Sequence, residues 1–311
     1  MRALLVVNPN ATATSIRTRD VLASALGSDL RIDVERTKSR GHAVEIGAQA
    51  VEDGYELVVA LGGDGTVNEV VNGLMSHGPS PDLPAFAAVP GGSTNVFARA
   101  LGYSPDPVEA TSELLDHLRE GRTRRISLGL SRSDEGDRWF CFNAGLGLDA
   151  DVVRRVDHRR PAGRKATTAL YVRSAVLRYY FGTDRRRPAI TLDAPGLDEP
   201  QQLFLALVCN ADPWTYFGNA PVRPCPQASF ERGLDVFGMT RLRTAQTLRH
   251  VAQLFARDAD PRGKRVLRLH DMSELTLSSD RPLPFQADGE PLPVRQHVTL
   301  TSVPNALRVI G

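Results

Sequence analysis

The chain of 311 residues carries 38 lysines and arginines against 36 aspartates and glutamates, a formal net charge of +2 with an isoelectric point near 8.5. That balance is too weak for a nucleic-acid footprint over the whole molecule, and 6% aromatic residues give no stacking platform for single strands, so no nucleic-acid partner is expected. The composition, 41% hydrophobic and 24% charged, is that of a globular chain, and at roughly 150 residues per domain the length suggests two domains. Cys141, Cys209 and Cys225 are far apart and form no Cys-x-x-Cys pair, which argues against a zinc site or disulfide framework and fits a reducing cytoplasm.

The first half alternates strand and helix. The apolar run Ala3 to Val7 stops at Asn8-Pro9, so it reads as a buried strand and not as a signal peptide, and no run reaches the roughly 18 apolar residues of a membrane span. A helix with Leu22 and Leu26 inward follows, then a strand from Leu30 to Arg36 with Leu30, Ile32 and Val34 alternating, and a helix from His42 to Glu52 ended by Gly54. Leu57 to Leu61 is a third strand, and Val67, Val70, Val71 and Leu74 lie at helical spacing. Phe86 to Val89 is a fourth strand, followed by helices over Val96 to Leu101 and Pro107 to Arg119. This order predicts a parallel sheet with right-handed crossovers.

The rhythm changes near Arg124. Strands are expected at Arg125 to Leu130, Trp139 to Asn143, Ala189 to Leu192, Leu203 to Cys209, Leu234 to Leu242, Arg265 to Leu269, Glu274 to Leu277 and Val298 to Thr301, with helices over Thr167 to Phe181 and Thr244 to Arg257. Short connections rich in turn residues point to an antiparallel domain.

Ligands of open parallel sheets bind beyond the carboxyl ends of the strands. Three strands end there in unusual loops: Asn8-Pro9-Asn10-Ala11-Thr12, Gly62-Gly63-Asp64-Gly65-Thr66, and Pro90-Gly91-Gly92-Ser93-Thr94-Asn95. Glycines let the backbone turn tightly and approach a ligand, and a helix N-terminus favours negative charge, so the second loop has the makings of a phosphate cradle. Asp64 in that loop suits a magnesium ion, a water network or a hydroxyl, and Thr66 suits a helix cap or a phosphate contact. Gly-Gly-Asp-Gly alone is also compatible with a plain turn, but the third loop repeats the strand–glycine–hydroxyl–helix arrangement. No Walker A, dinucleotide or protein-kinase signature is present.

Together with Asn143-Ala144-Gly145-Leu146-Gly147, Gly233-Leu234-Asp235 and Asp288-Gly289-Glu290, these loops resemble, in order, the diacylglycerol kinase catalytic-domain family of bacterial soluble lipid kinases, sphingosine kinases and ceramide kinases. The resemblance covers nearly the whole chain. It implies an α/β N-terminal nucleotide-binding domain with a parallel sheet (1–124), a C-terminal antiparallel β-sandwich domain for the lipid (125–297), a terminal strand (298–311) that returns to the first domain, and an active site in the cleft between the two. Carried over residue by residue, it implies nucleotide contacts from Asn8, Pro9, Asn10, Ala11, Thr12, Gly62, Gly63, Asp64, Gly65, Thr66, Asn68, Gly92, Ser93, Thr94 and Asn95. Thr37, at the end of the second strand, suits either the ribose or base, or solvent. Glu290 would take the proton of the acceptor hydroxyl, Asp288 would orient water or magnesium, and Asp64 would stand near the transferred phosphate. Asp235 would hold a structural magnesium with carbonyls near Arg232 and Phe237.

The loops depart from the family pattern at Asn10-Ala11-Thr12, which lacks a glycine, at Ser93 in place of threonine, and at Val96 in place of an aspartate. The Gly145-Leu146-Gly147 stretch before Asp149 and Asp151 reads as a tight turn or as part of a substrate cleft. The basic residues from Arg154 to Lys165, with Arg185, Arg186 and Arg187 after the apolar helix, suit either anionic headgroups or a solvated face. The function implied is transfer of the γ-phosphate of ATP, with Mg2+, to a lipid hydroxyl, diacylglycerol or a related lipid, by a cytoplasmic protein peripherally associated with an anionic membrane surface. An NAD kinase-like activity and an inactive lipid-binding regulator are the alternatives, and monomer and homodimer both remain open.

Overall fold

The computed structural model describes residues 1–11, 16–159, 187–256 and 258–311, with the backbone alone at 16–18 and 156–159. Thr12, the helix expected over Thr167 to Phe181, Arg185, Arg186 and the basic run beyond Arg155 lie outside the described side chains. The chain divides into two compact units, residues 1–126 with 305–311, and residues 127–304.

The first unit contains β1 (Arg2–Val7), α1 (Ile16–Gly27), β2 (Arg31–Arg36), α2 (His42–Glu52), β3 (Leu57–Gly62), α3 (Asp64–Leu74), β4 (Ala85–Pro90), α4 (Val96–Ala100) and α5 (Pro107–Arg119). The four strands pair in parallel in the order β2-β1-β3-β4. β3 and β4 are buried at every residue and β1 at all but its first, as strands covered on both faces must be. β2 departs from its expected alternation: it is an edge strand with Val34 46% exposed, because only β1 flanks it. On the far side of β4, Val309 of the chain terminus lies opposite Phe86 in parallel register.

Register decides where the loops go. Val7 stands opposite Leu61, and Gly62 opposite Pro90, so the carboxyl ends of β1, β3 and β4 are level and their loops leave from one edge. Behind that edge α2 and α3 cross with their backbones in contact. A Cβ on Gly73 would stand 2.2 Å from the Val44 carbonyl oxygen and 2.8 Å from the Ala48 nitrogen.

The second unit holds most of β5 (Thr123–Arg132), then β6 (Arg138–Phe140), β7 (Asn143–Gly147), α6 (Leu148–Arg159), β8 (Ile190–Asp193), β9 (Gln201–Leu203), β10 (Leu205–Cys209), β11 (Thr215–Phe217), β12 (Ala220–Val222), β13 (Leu234–Met239), α7 (Thr244–Leu254), β14 (Val266–Met272), β15 (Glu274–Ala287) and the first part of β16 (Glu290–Ile310). Its main ladder is antiparallel in the order β14-β13-β10-β7-β15-β16. Two apolar clusters use alternate residues of the same strands: Ala206 and Val208 with Leu234 and Val236 in one, Leu207 and Cys209 with Phe237 and Met239 in the other.

Three expectations are corrected here. The strand expected over Trp139 to Asn143 breaks after Phe140, where the amides of Cys141 and Phe142 turn to a distant carboxylate. Gly145-Leu146-Gly147 is not a turn but the body of β7, paired with β10 and β15. The strands at Glu274 to Leu277 and Val298 to Thr301 are fragments of β15 and β16, whose Pro282, Pro284, Pro291 and Pro293 sit where the register shifts or the hairpin closes.

The α2–α3 crossing yields a test with opposed terms. Alanine is favoured over glycine by about 1 kcal/mol inside a helix, but a methyl driven into backbone costs about 1–3 kcal/mol or more. Because the obstacles at Gly73 are main-chain atoms that no rotamer can clear, Gly73→Ala is expected to lower the unfolding free energy, measured by urea titration, by about 1–2 kcal/mol net.

Candidate functional site

The loops after β3 and β4 touch through glycine. A Cβ on Gly92 would lie 2.6 Å from the Gly63 Cα, and the Gly91 amide donates to the Gly62 carbonyl at 2.8 Å. Asn95, in the left-handed region at φ 50°, holds the third loop from within: its Oδ1 accepts from the Gly92 amide at 2.8 Å and its Nδ2 donates to the Gly92 carbonyl at 3.0 Å. The loop after β1 joins the other two through Asn8, whose Nδ2 donates to the Thr66 hydroxyl at 2.9 Å, while its own Oδ1 accepts from the Asn10 amide and its carbonyl from Ala11. Pro9, Asn10 and Ser93 are exposed, and Thr37, half-buried after β2, donates its amide to the Val7 carbonyl beside them. The structure thus brings Asn8, Thr37, Gly62–Thr66 and Gly92–Asn95 to one edge of the first unit.

Thr66 does not cap α3, contrary to one sequence reading. The N-cap position is Gly63, which has no side chain to offer, and Thr66 stands two residues past Asp64 with its side chain filling the space above Gly62. The N-cap residue therefore supplies no side-chain hydrogen bond, and the first turn of α3 carries the positive end of an 11-residue helix. Asp64 reaches sideways, its Oδ1 accepting from the Phe97 amide at 3.2 Å in the first turn of α4. Asn68, 1% exposed, accepts from Asn72 and lies inside the packing of α3. Glu69 has no local signature, yet its carboxylate accepts from the Gly41 and Ala43 amides at 2.9 and 3.3 Å and so caps α2 from the neighbouring helix. These observations fit a polyphosphate: an uncapped helix N-terminus, glycine backbone on two sides, and hydroxyls of Thr66, Ser93 and Thr94 around it.

In the second unit Asp288-Gly289 forms the two-residue turn between β15 and β16, with φ of 50° and 75° and Ala287 opposite Glu290. Gly289 is exposed, but Asp288 is not, as it would be in an ordinary Asp-Gly hairpin. Asp288 is 3% exposed, and its carboxylate accepts from the amides of Cys141, Phe142 and Asn143 at 2.6, 2.9 and 3.1 Å. Its observed work is to anchor the turn, and Glu290 begins the next strand half-buried.

Gln286, which the sequence gave no reason to single out, ties this turn to α6. Its Nε2 donates to Asn143 Oδ1 and to Asp149 Oδ2, both at 2.9 Å, and its Oε1 accepts from the Gly289 amide at 2.8 Å. Asp149 needs Gly145 beneath it, since a Cβ there would meet Asp149 Oδ2 at 2.4 Å. Burial pushes the Asp149 carboxyl up to about 7, partly offset by the Gln286 hydrogen bond.

The metal assignment at Asp235 finds a different environment. Asp235 Oδ1 accepts from His270 Nδ1 at 2.8 Å and from the Asp271 amide at 3.0 Å, and the Arg232 guanidinium meets His270 Nε2 at 3.0 Å. Phe237 is mid-strand between β10 and β14, so its carbonyl faces a partner strand. Both contacts described at Asp235 Oδ1 are nitrogen donors, where magnesium would need oxygen ligands. These residues do not fit the ion in this arrangement.

The Asp149 shift has a defined sign. Between pH about 4 and about 7 the unfolded chain releases this proton while the folded chain keeps it, so stability falls as pH rises through that window and levels off above it. Asp149→Asn keeps an oxygen for Gln286 and removes the titration. Its stability relative to the parent, from denaturant titrations at pH 4, 5.5 and 8, is expected to rise by roughly 3–4 kcal/mol across the range, three units at about 1.4 kcal/mol each.

The family model for the diacylglycerol kinase catalytic domain matches residues 2–130. A probable YegS-like lipid kinase of Stenotrophomonas maltophilia is 28% identical over 298 residues, 94% of this chain and 90% of that protein. A diacylglycerol kinase of Staphylococcus saprophyticus is 31% identical over 167 residues, 53% of this chain and 50% of that one. Among solved structures, a diacylglycerol kinase from Bacillus anthracis superposes with a TM-score of 0.72 at 17% identity over 99% of this chain and 96% of that one. An NAD kinase from Archaeoglobus fulgidus in complex with ATP gives 0.52 at 12% identity over 100% and 94%, so both share the fold. Residues 2–130 thus match the diacylglycerol kinase catalytic domain, and over nearly its whole length the chain is similar to a probable lipid kinase.

Proposed function

We propose that this protein transfers the γ-phosphate of ATP to the hydroxyl of diacylglycerol or a related lipid, giving a phosphatidic-acid-type product at an anionic membrane surface on the cytoplasmic side. The observation that carries the reading is the N-terminus of α3, with no side-chain cap at Gly63 and Gly92 packed against it, in a chain whose residues 2–130 match the diacylglycerol kinase catalytic domain. An ATP complex in a protein of the same fold supports the choice of nucleotide. Among the described residues no helix is long and apolar enough to cross a membrane, which fits peripheral attachment.

ATP supplies the transferable phosphoryl group and a counter-ion such as magnesium. The residues of this chain bind and orient. The first-turn amides of α3 and the hydroxyls of Thr66, Ser93 and Thr94 receive phosphate oxygens, and the rigid glycine contact keeps them in place without reorganisation. Asp64, fixed by the Phe97 amide, is the carboxylate that would meet the metal-bound triphosphate. Glu290 takes the proton of the lipid hydroxyl, and Asp288 sets its direction by clamping the turn just before it.

Diacylglycerol, sphingosine and NAD offered separately with radiolabelled ATP test the reading. Labelled lipid is expected with the wild type, with turnover down by about 10²–10⁴ in Glu290→Gln and by about 10² or more in Asp64→Asn, which keeps an oxygen for Phe97. Phosphorylated NAD without labelled lipid would replace this function with the NAD kinase one, and unchanged turnover in both variants would remove the assigned roles.

A further inference from the structure

Helix α7 is built inside out. His250, 6% exposed, faces inward, with its Nδ1 against Gln253 Oε1 at 2.9 Å, and Gln246 Oε1 accepts from Arg265 at 2.7 Å. The opposite face carries Leu248 (64% exposed) and Val251 (43%), followed at the C-cap by Phe255 (41%). These three follow the i, i+3, i+7 spacing of one stripe. They are three of the eight large hydrophobic side chains exposed among the described residues. Phe255 stacks on Phe217 of the β11–β12 hairpin, with ring centroids 5.5 Å apart, and the Leu254 carbonyl accepts from the Arg223 amide just past β12, so hairpin and helix form one surface.

The rim of that stripe is basic. Arg241, Arg243 and Arg249 are exposed, as are Arg262 and Lys264 on the segment that follows. Arg241 and Arg243 stand near enough to Arg265 that their repulsion, after burial, lowers its affinity for a proton. Over residues 241–265 the described bases, with Arg265, number six against two acids, Asp258 and Asp260, and Asp260 is already held by Arg262 and Arg268. An apolar stripe bordered by uncompensated arginines matches the boundary of an anionic bilayer, where acyl chains take the stripe and headgroups the rim. A second copy of the chain fits less well, since two such rims brought together would repel.

We propose that α7, with the β11–β12 hairpin, docks the second unit on an anionic phospholipid surface. The choice of a lipid surface rests on the lipid-kinase reading above; the face itself does not depend on it.

The test separates the two. Co-sedimentation with vesicles of phosphatidylglycerol and phosphatidylcholine is measured for the wild type, for Leu248→Ser/Val251→Ser, and for Arg241→Glu/Arg243→Glu, beside phosphorylation of a short-chain diacylglycerol dispersed in detergent. The wild type is expected to bind anionic vesicles. The serine pair should bind about tenfold or more weakly, and the glutamate pair about twentyfold or more weakly, both with unchanged activity on the dispersed substrate. Equal binding by all three proteins, or no binding by the wild type, overturns the proposal. So does a wild-type dimer, seen by sedimentation velocity, that the serine pair converts to monomer, which would assign the face to self-association. Vesicle binding with the expected losses but no lipid phosphorylation would leave docking intact and refute only the kinase reading.

Discussion

The contact between Gly63 and Gly92 is the constraint on which the organisation of the first unit depends. Two β–α loops can lie this close only if Gly92 carries no Cβ, because that Cβ would stand 2.6 Å from the Gly63 Cα. Parallel pairing of β3 with β4 sets the two strand ends level, and the Gly91–Gly62 hydrogen bond extends the ladder one step beyond them. Asn95 then closes the third loop on itself, and Asn8 binds the first loop to Thr66. The asparagines of the first and third loops are thereby committed to bracing those loops. What remains at the helix N-terminus is backbone N–H with no side-chain cap, which is the electrostatic condition for receiving an anion.

The second unit solves the opposite problem. Its turn leads into Glu290 at the head of β16, and a two-residue hairpin by itself is pliant. Asp288 supplies the rigidity through three amide hydrogen bonds in a buried setting, each charge-assisted and worth about 1.5–3 kcal/mol. Those amides are available because the strand after Phe140 breaks and turns Cys141 and Phe142 toward the turn. Gln286 adds a second tie from the other side and passes it on to Asp149, whose proton is retained by burial. The carboxylates of this region thus divide their duties: one anchors, one is kept neutral at mild acidity, and one is left at the head of a strand.

Much of this was legible in the residues. The alternation of strands and helices predicted the parallel half, and the three loops were identified from glycine, asparagine and hydroxyl residues at strand ends, since the need for a small or cap-forming residue at such points is local. Thr66 as a cap was misjudged because capping depends on which residue leaves the strand, and here that is Gly63. Glu69, Gln286 and Asn143 act across 28, 137 and 71 residues of chain, so no window of sequence could reveal their partners. The break after Phe140 was invisible for the same reason, since an apolar, aromatic run reads as continuous strand unless the distant carboxylate is known. The full lengths of β15 and β16 were not legible either, because a long antiparallel strand tolerates prolines at bulges and beside a hairpin.

The inverted helix shows where pattern alone is blind. Period-3.6 analysis finds a stripe in α7 but cannot say which way it faces, and the default reading turns it inward. The inward side is instead tied to the rest of the unit by the Gln246–Arg265 hydrogen bond, with His250 buried beside it and Leu254 packed against the apolar cluster of β10 and β13. A helix held by hydrogen bonds on its polar side leaves its apolar side unburied, at a cost of about 25 cal/mol per Å² left in water. Leu248, at 64% exposed, Val251 and Phe255 bear that cost together on one stripe, and Phe217 extends it, so the surface is continuous and not a scatter of single residues. The arginines at its border then select among covers: they discourage a symmetric partner and favour a layered one, apolar within and negative at its rim.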